Sequence, residues 1–183
     1  LCFDLLKRLG ESSSSPQLQR ARSYVMASQN NHLGDWSRRA RNVPPGGWAF
    51  QRTGRWYPDN DDTVTAVTAL LDADAGVASD ATVKGVRWLL GMQCSNGGWA
   101  SWDRDDRAWI AIPNGGPWFA RDLACPEITD RVLILLSRIL RKHYRGLDQF
   151  ESAARKAVQR GIRWLKRERQ TAGWYGRWFT HYL

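Results

Sequence analysis

A short sequence pattern recurs three times along the chain and points to stacked structural units. Each copy has a basic residue, a small residue, two further positions, an aromatic and an aliphatic residue, then Gln, a spacer, Gly and Trp. The copies begin at Arg20, Lys84 and Arg160. Their Gln and Trp residues are Gln29 with Trp36, Gln93 with Trp99, and Gln170 with Trp174. Each copy predicts a helix end followed by a turn, and repetition predicts that successive units share one core.

A further Gly-Gly-Trp occupies residues 46–48, without the helical half of the pattern directly before it. Between these markers apolar residues recur at helical spacing, for example at Val132, Leu135, Leu136 and Ile139. Helices are predicted over residues 2–9, 16–30, 62–73, 78–93, 127–143 and 147–169. No substantial strand pair is indicated. The expected fold is all-α, an arc of an α/α barrel, with residues 1–183 forming one partial domain of a longer polypeptide and no second complete domain.

The net charge of +9 first suggests nucleic acid as a partner. However, the basic residues alternate with acidic ones along the helices and form no dense run, so no nucleic-acid partner is expected. Attraction to an anionic membrane surface fits the charge equally well. An odd number of cysteines, three, favours reduced thiols. The longest apolar stretch is interrupted by Ser137 and Arg138. We therefore expect a cytoplasmic protein at the periphery of a membrane.

Three acids, Asp59, Asp61 and Asp62, stand just before a predicted helix. One of them can cap the helix, since a carboxylate accepts hydrogen bonds from the free N–H groups of the first turn. From these residues alone, an N-cap with spare solvated acids, a cation site and a catalytic acid cluster all remain open. The histidines share no ligand spacing with each other or with the cysteines, so neither a metal nor a cofactor is predicted.

The repeat resembles the Gln–Trp motif of the triterpene cyclases, in which it ties the ends of barrel helices together. Residues 44–50 resemble the segment before the family's catalytic acids, and residues 57–63 match its Asp-x-Asp-Asp-Thr signature. Residues 173–178 resemble a Gly-Ser-Trp-aromatic-Gly-Arg-Trp segment further along. The resemblance covers nearly the whole chain and is to class II terpene cyclases of the squalene–hopene type, in whose longer chains these motifs lie in the second half.

This resemblance implies a catalytic role for the acids. Protonating an alkene needs a strong acid that keeps its proton, and an ionised neighbour helps a carboxyl to retain one. The family's pattern assigns the donor role to Asp61, with Asp59 and Asp62 orienting it and sharing charge. It places Phe50, Trp102 and Trp178 among the cavity aromatics that stabilise carbocations. Ordinary core packing remains an alternative for each of these rings.

One segment departs from the pattern. Squalene–hopene cyclases have Asp-Val-Thr-x-His-Val-Leu where this chain has Glu127 to Leu133, with Arg131 in place of His. Glu127 keeps an acid at the first position. The fixed charge of Arg131 can stabilise the Asp61 carboxylate but cannot return a proton to it. The departure puts hopene as the product in doubt, and a similar Arg is expected in relatives that act on other long polyprenes.

The expected activity is cyclisation of a long linear isoprenoid, squalene or a related polyprene, begun by proton transfer from an Asp. The alternatives are a class II diterpene cyclase acting on a prenyl diphosphate, and an inert helical-toroid module used for binding. The expected partners are a hydrophobic isoprenoid, the rest of the polypeptide and a membrane surface. Since the rest of the polypeptide would complete the cavity, these 183 residues alone are expected to be inactive.

Overall fold

The structure is a computed structural model that describes residues 6, 9–51, 54, 56–74, 76–106 and 122–169, and the backbone of residues 174–175 and 181–182. The helices in this part are α1 (Pro16–Ala27), α2 (Asn60–Ala73), α3 (Asp80–Gly91), α4 (Pro126–Lys142) and α5 (Glu151–Glu168). Short 3₁₀ helices cover Asp35–Arg38 and Asp148–Phe150. Two short antiparallel strands, β1 (Trp174–Tyr175) and β2 (His181–Tyr182), pair Trp174 with Tyr182 and Tyr175 with His181. The all-α prediction is confirmed.

Capping residues explain where α1, α2 and α3 begin. The Ser15 hydroxyl accepts from the N–H of Leu18 before Pro16, and the Ser79 hydroxyl accepts from the N–H of Thr82. The Asp59 carboxylate does the same for α2, which therefore starts two residues earlier than predicted. The helix predicted over residues 2–9 falls mostly outside the described residues. No helix in the described part is both long enough and apolar enough to cross a bilayer.

The helices form pairs around one core. Helix α2 packs along α3, and α4 packs along α5, while α2 also contacts α1 and α4. The core is built from α2 to α5 and the segments between them, and it contains the buried residues Val67, Leu70, Val86, Trp88, Leu89, Trp99, Val132, Leu136 and Ala154. This arrangement brings the first turns of α2 and α4 together, and both turns carry acids.

Two copies of the repeat make the same contacts. The Gln29 side-chain amide donates to the carbonyl oxygens of Gly46 and Ala81, both at 2.8 Å. The Gln93 amide donates in the same way to Gly97 at 2.8 Å and Ala157 at 2.9 Å. Each Gln thus joins its Gly turn to a later helix of the chain, Gln29 to α3 and Gln93 to α5.

The two tryptophans after these glycines are also equivalent. The indole N–H of Trp48 donates to Val25 at 2.7 Å, and that of Trp99 donates to Leu89 at 2.8 Å. Their backbone N–H groups donate to threonine hydroxyls one turn inside α2 and α4, Thr63 at 2.9 Å and Thr129 at 2.8 Å. The contacts therefore repeat from one unit to the next at atomic detail.

These contacts correct the predicted pairing of Gln29 with Trp36. The partner motif of Gln29 is Gly46 to Trp48, and α1 is the helix that belongs to it. Residues 31–45 are an insertion into this copy, and Trp36 within it is buried edge-on against Trp88, with ring centroids 5.9 Å apart. The pairing of Gln29 failed because the insertion carries its own Gly and Trp. The third predicted pair is Gln170 with Trp174. Gln170 and the side chain of Trp174 lie outside the described part of the chain.

We expect Gln93→Leu to lower the free energy of unfolding by about 1–3 kcal/mol, because it leaves two buried carbonyls without their donor. Urea unfolding followed by circular dichroism measures the change. Gln159→Leu is the matched control, since Gln159 lies on the exposed side of α5. Equal losses for the two variants would contradict the role assigned to the repeat.

Candidate active site

The acid cluster begins at Asp59, the residue before α2. Asp59 is only 4% exposed, and its backbone N–H donates to the Trp48 carbonyl at 2.8 Å. One carboxylate oxygen accepts from the N–H of Asp62 at 2.7 Å and the other from the N–H of Phe50 at 3.2 Å. Of the three acids, Asp59 is therefore the one that caps α2. Its hydrogen bonds also fix the segment that carries Phe50.

Asp61 and Asp62 lie in the first turn of α2 and are both half-buried. The Asp61 side chain is 37% exposed and forms an ion pair with the guanidinium of Arg131 on α4, itself 49% exposed. The expectation that Arg131 lies beside the acids is confirmed. The N-terminus of α2 and this guanidinium are the two sources of positive potential next to the Asp61 side chain.

Burial raises the pKa of Asp59 to about 8, and the neighbouring carboxyls of Asp62 and Asp61 add to the increase. The hydrogen bond from the Asp62 N–H acts in the opposite direction. A proton can therefore stay in the cluster at neutral pH. The sequence suggested proton retention through neighbouring charge, whereas burial is the larger cause here.

The raised pKa makes stability depend on pH. Asp59 binds its proton more tightly in the folded state, so its contribution to stability is complete below the unfolded pKa of 3.8 and is lost as the pH rises through about 8. We expect the free energy of unfolding to fall across this window. Asp59→Asn keeps a capping side chain and should remove that decline. Urea titrations at several pH values measure it, and an unchanged slope in the variant would contradict the assignment.

The predicted aromatic residues occupy different environments. Phe50 is 80% exposed, and Trp102 is half-buried in the loop before residue 107. Trp56 and Tyr57, in the segment from Phe50 to the acids, are also exposed. Three exposed aromatic side chains thus precede the cluster in the sequence. Trp178 lies outside the described residues.

Glu127 occupies the first turn of α4, is half-buried, and lies one turn before Arg131 on the same side of the helix. The acids, Glu127 and Arg131 therefore lie within the first two turns of two neighbouring helices. In the described part of the chain, no group of three His, Cys, Asp or Glu side chains could hold a metal ion.

Two polar residues that sequence reasoning missed lie next to the site. Asn60, inside the acid signature, is fully buried and donates through its side chain to the Ala100 carbonyl at 2.8 Å. Asp122 is buried as well and accepts from the N–H of Ser101 at 3.1 Å and from those of Trp102 and Asp103 at 2.6 Å. Asn60 could have been noticed because it occupies the variable position of the acid signature. Asp122 belongs to no motif in the sequence that would have identified it.

Comparison with known proteins explains this combination of repeats and acids. The family model for the squalene-hopene cyclase C-terminal domain matches residues 1–183. The chain belongs to this family. Its helices are therefore part of the family's α/α barrel, as the resemblance implied.

Curated relatives agree with the family assignment. The chain is 34% identical over 97% of its length to the squalene–hopene cyclase of Alicyclobacillus acidocaldarius, and covers 28% of that protein. It is 35% identical over 92% of its length to the dammaradiene synthase of Dryopteris crassirhizoma, covering 25% of that enzyme. It is 27% identical over 97% of its length to the sporulenol synthase of Bacillus subtilis, and covers 27% of that enzyme. The chain thus spans about a quarter of the length of these relatives.

Proposed function

We propose that this chain is the acid-bearing part of a class II terpene cyclase, which cyclises a long linear isoprenoid after protonating one of its alkenes. The observation that carries the proposal is the acid cluster itself. A buried carboxyl with a raised pKa lies beside a partly exposed one that is paired with a guanidinium, at the first turn of a helix. Membership in the squalene-hopene cyclase C-terminal domain family supports the same reaction class.

Asp61 is the proton donor in this proposal. Asp59 is buried and engaged in capping bonds with both oxygens, so it cannot reach a substrate. Asp61 is exposed enough to touch one, and the helix N-terminus and Arg131 stabilise the carboxylate that remains after transfer. Asp59 retains a proton at neutral pH, and Asp62, whose N–H donates to Asp59, lies beside Asp61 in the same helical turn.

The aromatic residues would stabilise the carbocation. The backbone N–H of Phe50 donates to the Asp59 side chain. The exposed rings of Trp56 and Tyr57 lie between Phe50 and the acids in the sequence. Aromatic faces attract cations through their quadrupole. Trp102 and Trp178 complete this lining in the proposal, and Glu127 with Arg131 borders it on the α4 side.

The substrate in this proposal is squalene or a related polyprene, and the reaction needs no metal or organic cofactor. The remaining polypeptide, beyond the quarter of the relatives' length present here, would close the cavity and exclude water. These residues alone should bind isoprenoids without converting them. Because the chain carries a net charge of +9, we also propose peripheral contact with an anionic membrane, where such substrates are dissolved.

The test uses the full-length polypeptide that carries these residues, incubated separately with squalene, a longer linear polyprene and geranylgeranyl diphosphate. We expect cyclic products of unchanged mass from at least one hydrocarbon, detected by gas chromatography and mass spectrometry. Conversion of the diphosphate alone would support a diterpene cyclase instead. Binding of all three without conversion would contradict the proposed catalysis and favour a binding module.

A further inference from the structure

Asn60 occupies the variable position of the acid signature, yet its side chain is directed away from the acids. Successive residues on a helix are about 100° apart, so Asn60 and Asp61 serve different sides of α2. Asp61 meets Arg131, whereas Asn60 is fully buried against the loop of residues 100–106. One turn of helix therefore carries both the proposed donor and an anchor to another segment.

The anchor consists of two hydrogen bonds. The Asn60 side-chain N–H donates to the Ala100 carbonyl at 2.8 Å, and its backbone N–H donates to the Ser101 carbonyl at 2.7 Å. The next residue in the loop is Trp102. Asn60 directly precedes Asp61, and Ser101 directly precedes Trp102. The two hydrogen bonds therefore connect Asp61 to Trp102 by a short path.

The other side of the loop is held by Asp122. Its carboxylate accepts from three consecutive N–H groups, of residues 101–103, and its own N–H donates to Asp106 at 2.7 Å. Arg39, from the insertion between Gln29 and Gly46, bridges Asp103 at 3.1 Å and Asp106 at 2.5 Å. The loop is thus fixed in position by this network on one side and by Asn60 on the other.

The oxygen of the Asn60 side-chain amide, unlike its nitrogen, lacks a hydrogen bond to any residue that the structure describes. The Asn60 side-chain oxygen is buried and has no hydrogen-bond partner among the described residues. An unsatisfied buried acceptor costs about 1–3 kcal/mol, so stability alone does not favour an amide here. The useful part of the side chain is the N–H that holds the loop.

We infer that Asn60 is a positioning residue that couples the acid cluster to the Trp102 loop, and so sets the distance between the proton donor and an aromatic ring of the cavity. This inference rests on the proposed function for its catalytic meaning. The physical coupling between α2 and the loop can be measured without turnover. Small displacements matter in such a site, since a misplacement of about 1 Å can lower a rate about a hundredfold.

The experiment compares Asn60→Leu with the parent full-length protein by hydrogen exchange and by product analysis. We expect the loop peptide spanning residues 100–106 to exchange at least about tenfold faster, since its amides lose their fixed geometry. We also expect kcat to fall about tenfold with KM nearly unchanged, and the products to shift toward those with fewer rings. Gln29→Leu is the matched control for hydrogen exchange, because it also removes a buried amide donor from backbone carbonyls, those of Gly46 and Ala81, which lie outside this loop.

Asp122→Asn provides a second variant, which weakens the same loop from its other side if Asn60→Leu does not fold. Faster loop exchange together with an altered product ratio supports the inference. Unchanged loop exchange overturns it, and so does faster exchange with unchanged kcat and products. A parent protein that cyclises no substrate would count against the proposed function alone, and the exchange measurement would still decide whether Asn60 holds the loop.

Discussion

Asp61→Asn should reduce cyclisation by the full-length protein about a hundredfold to ten-thousandfold, the range typical of losing a general acid. Asn preserves the size of the side chain but has no carboxyl proton to deliver. Because Asp61 is partly exposed and does not cap the helix, its replacement should leave the thermal midpoint of unfolding nearly unchanged. Product formation under single-turnover conditions measures the effect.

Asp130→Asn is the control for this variant. Asp130 is exposed on α4, next to Arg131 in sequence, and its replacement removes the same charge without touching the cluster. It should retain the parent activity. If Asp61→Asn kept a tenth of the parent rate, another residue would have to be the donor.

The second large effect is expected from Arg131→Ala, with activity lowered about tenfold or more. The guanidinium pairs with the Asp61 carboxylate, and a hydrogen bond between charged partners strengthens as the proton leaves the acid. Stability should change little, since exposed ion pairs contribute about 0–1 kcal/mol. Arg131→Lys keeps the charge and should recover part of the activity. Rates and unfolding midpoints of the two variants test both statements.

A second ion pair between the same helices supplies the control. Arg138 on α4 pairs with Asp72 on α2, away from the first turns that hold the acids. Arg138→Ala should therefore lower stability without affecting turnover. Equal loss of activity in both Arg variants would mean that Arg131 acts only by joining the helices.

Much of the scaffold was predictable from sequence because helices leave a regular apolar pattern. The stripe along α4, with Val132, Leu135, Leu136 and Ile139 buried, matches the prediction closely. The partner of Gln29 was not predictable from spacing alone. Its Gly and Trp follow an insertion that includes another Gly and Trp, and only the hydrogen bonds of Gln29 distinguish the two candidates.

The site was predictable as a set of residues but not as an environment. The acid signature identified the acids, and the departure from the family pattern identified Arg131, whose contact with Asp61 follows from the packing of α2 against α4. Which acid is buried depends on the segment between Trp48 and Asp59, whose backbone pairing places the Asp59 carboxyl inside. The roles of Asn60 and Asp122 depend on contacts across the fold, which periodicity and motifs do not encode.

The most direct test of protonation by the acid cluster is to run the reaction of the full-length protein in deuterium oxide. The acidic protons of the cluster exchange with solvent, so the first transfer should place a deuterium on carbon, where it cannot wash out. After work-up in ordinary water, mass spectrometry should show cyclic product with a single carbon-bound deuterium, and Asp61→Asn should form almost none of it. Cyclic product without carbon-bound deuterium would contradict the account, because the ring-forming cation would then have arisen without proton transfer.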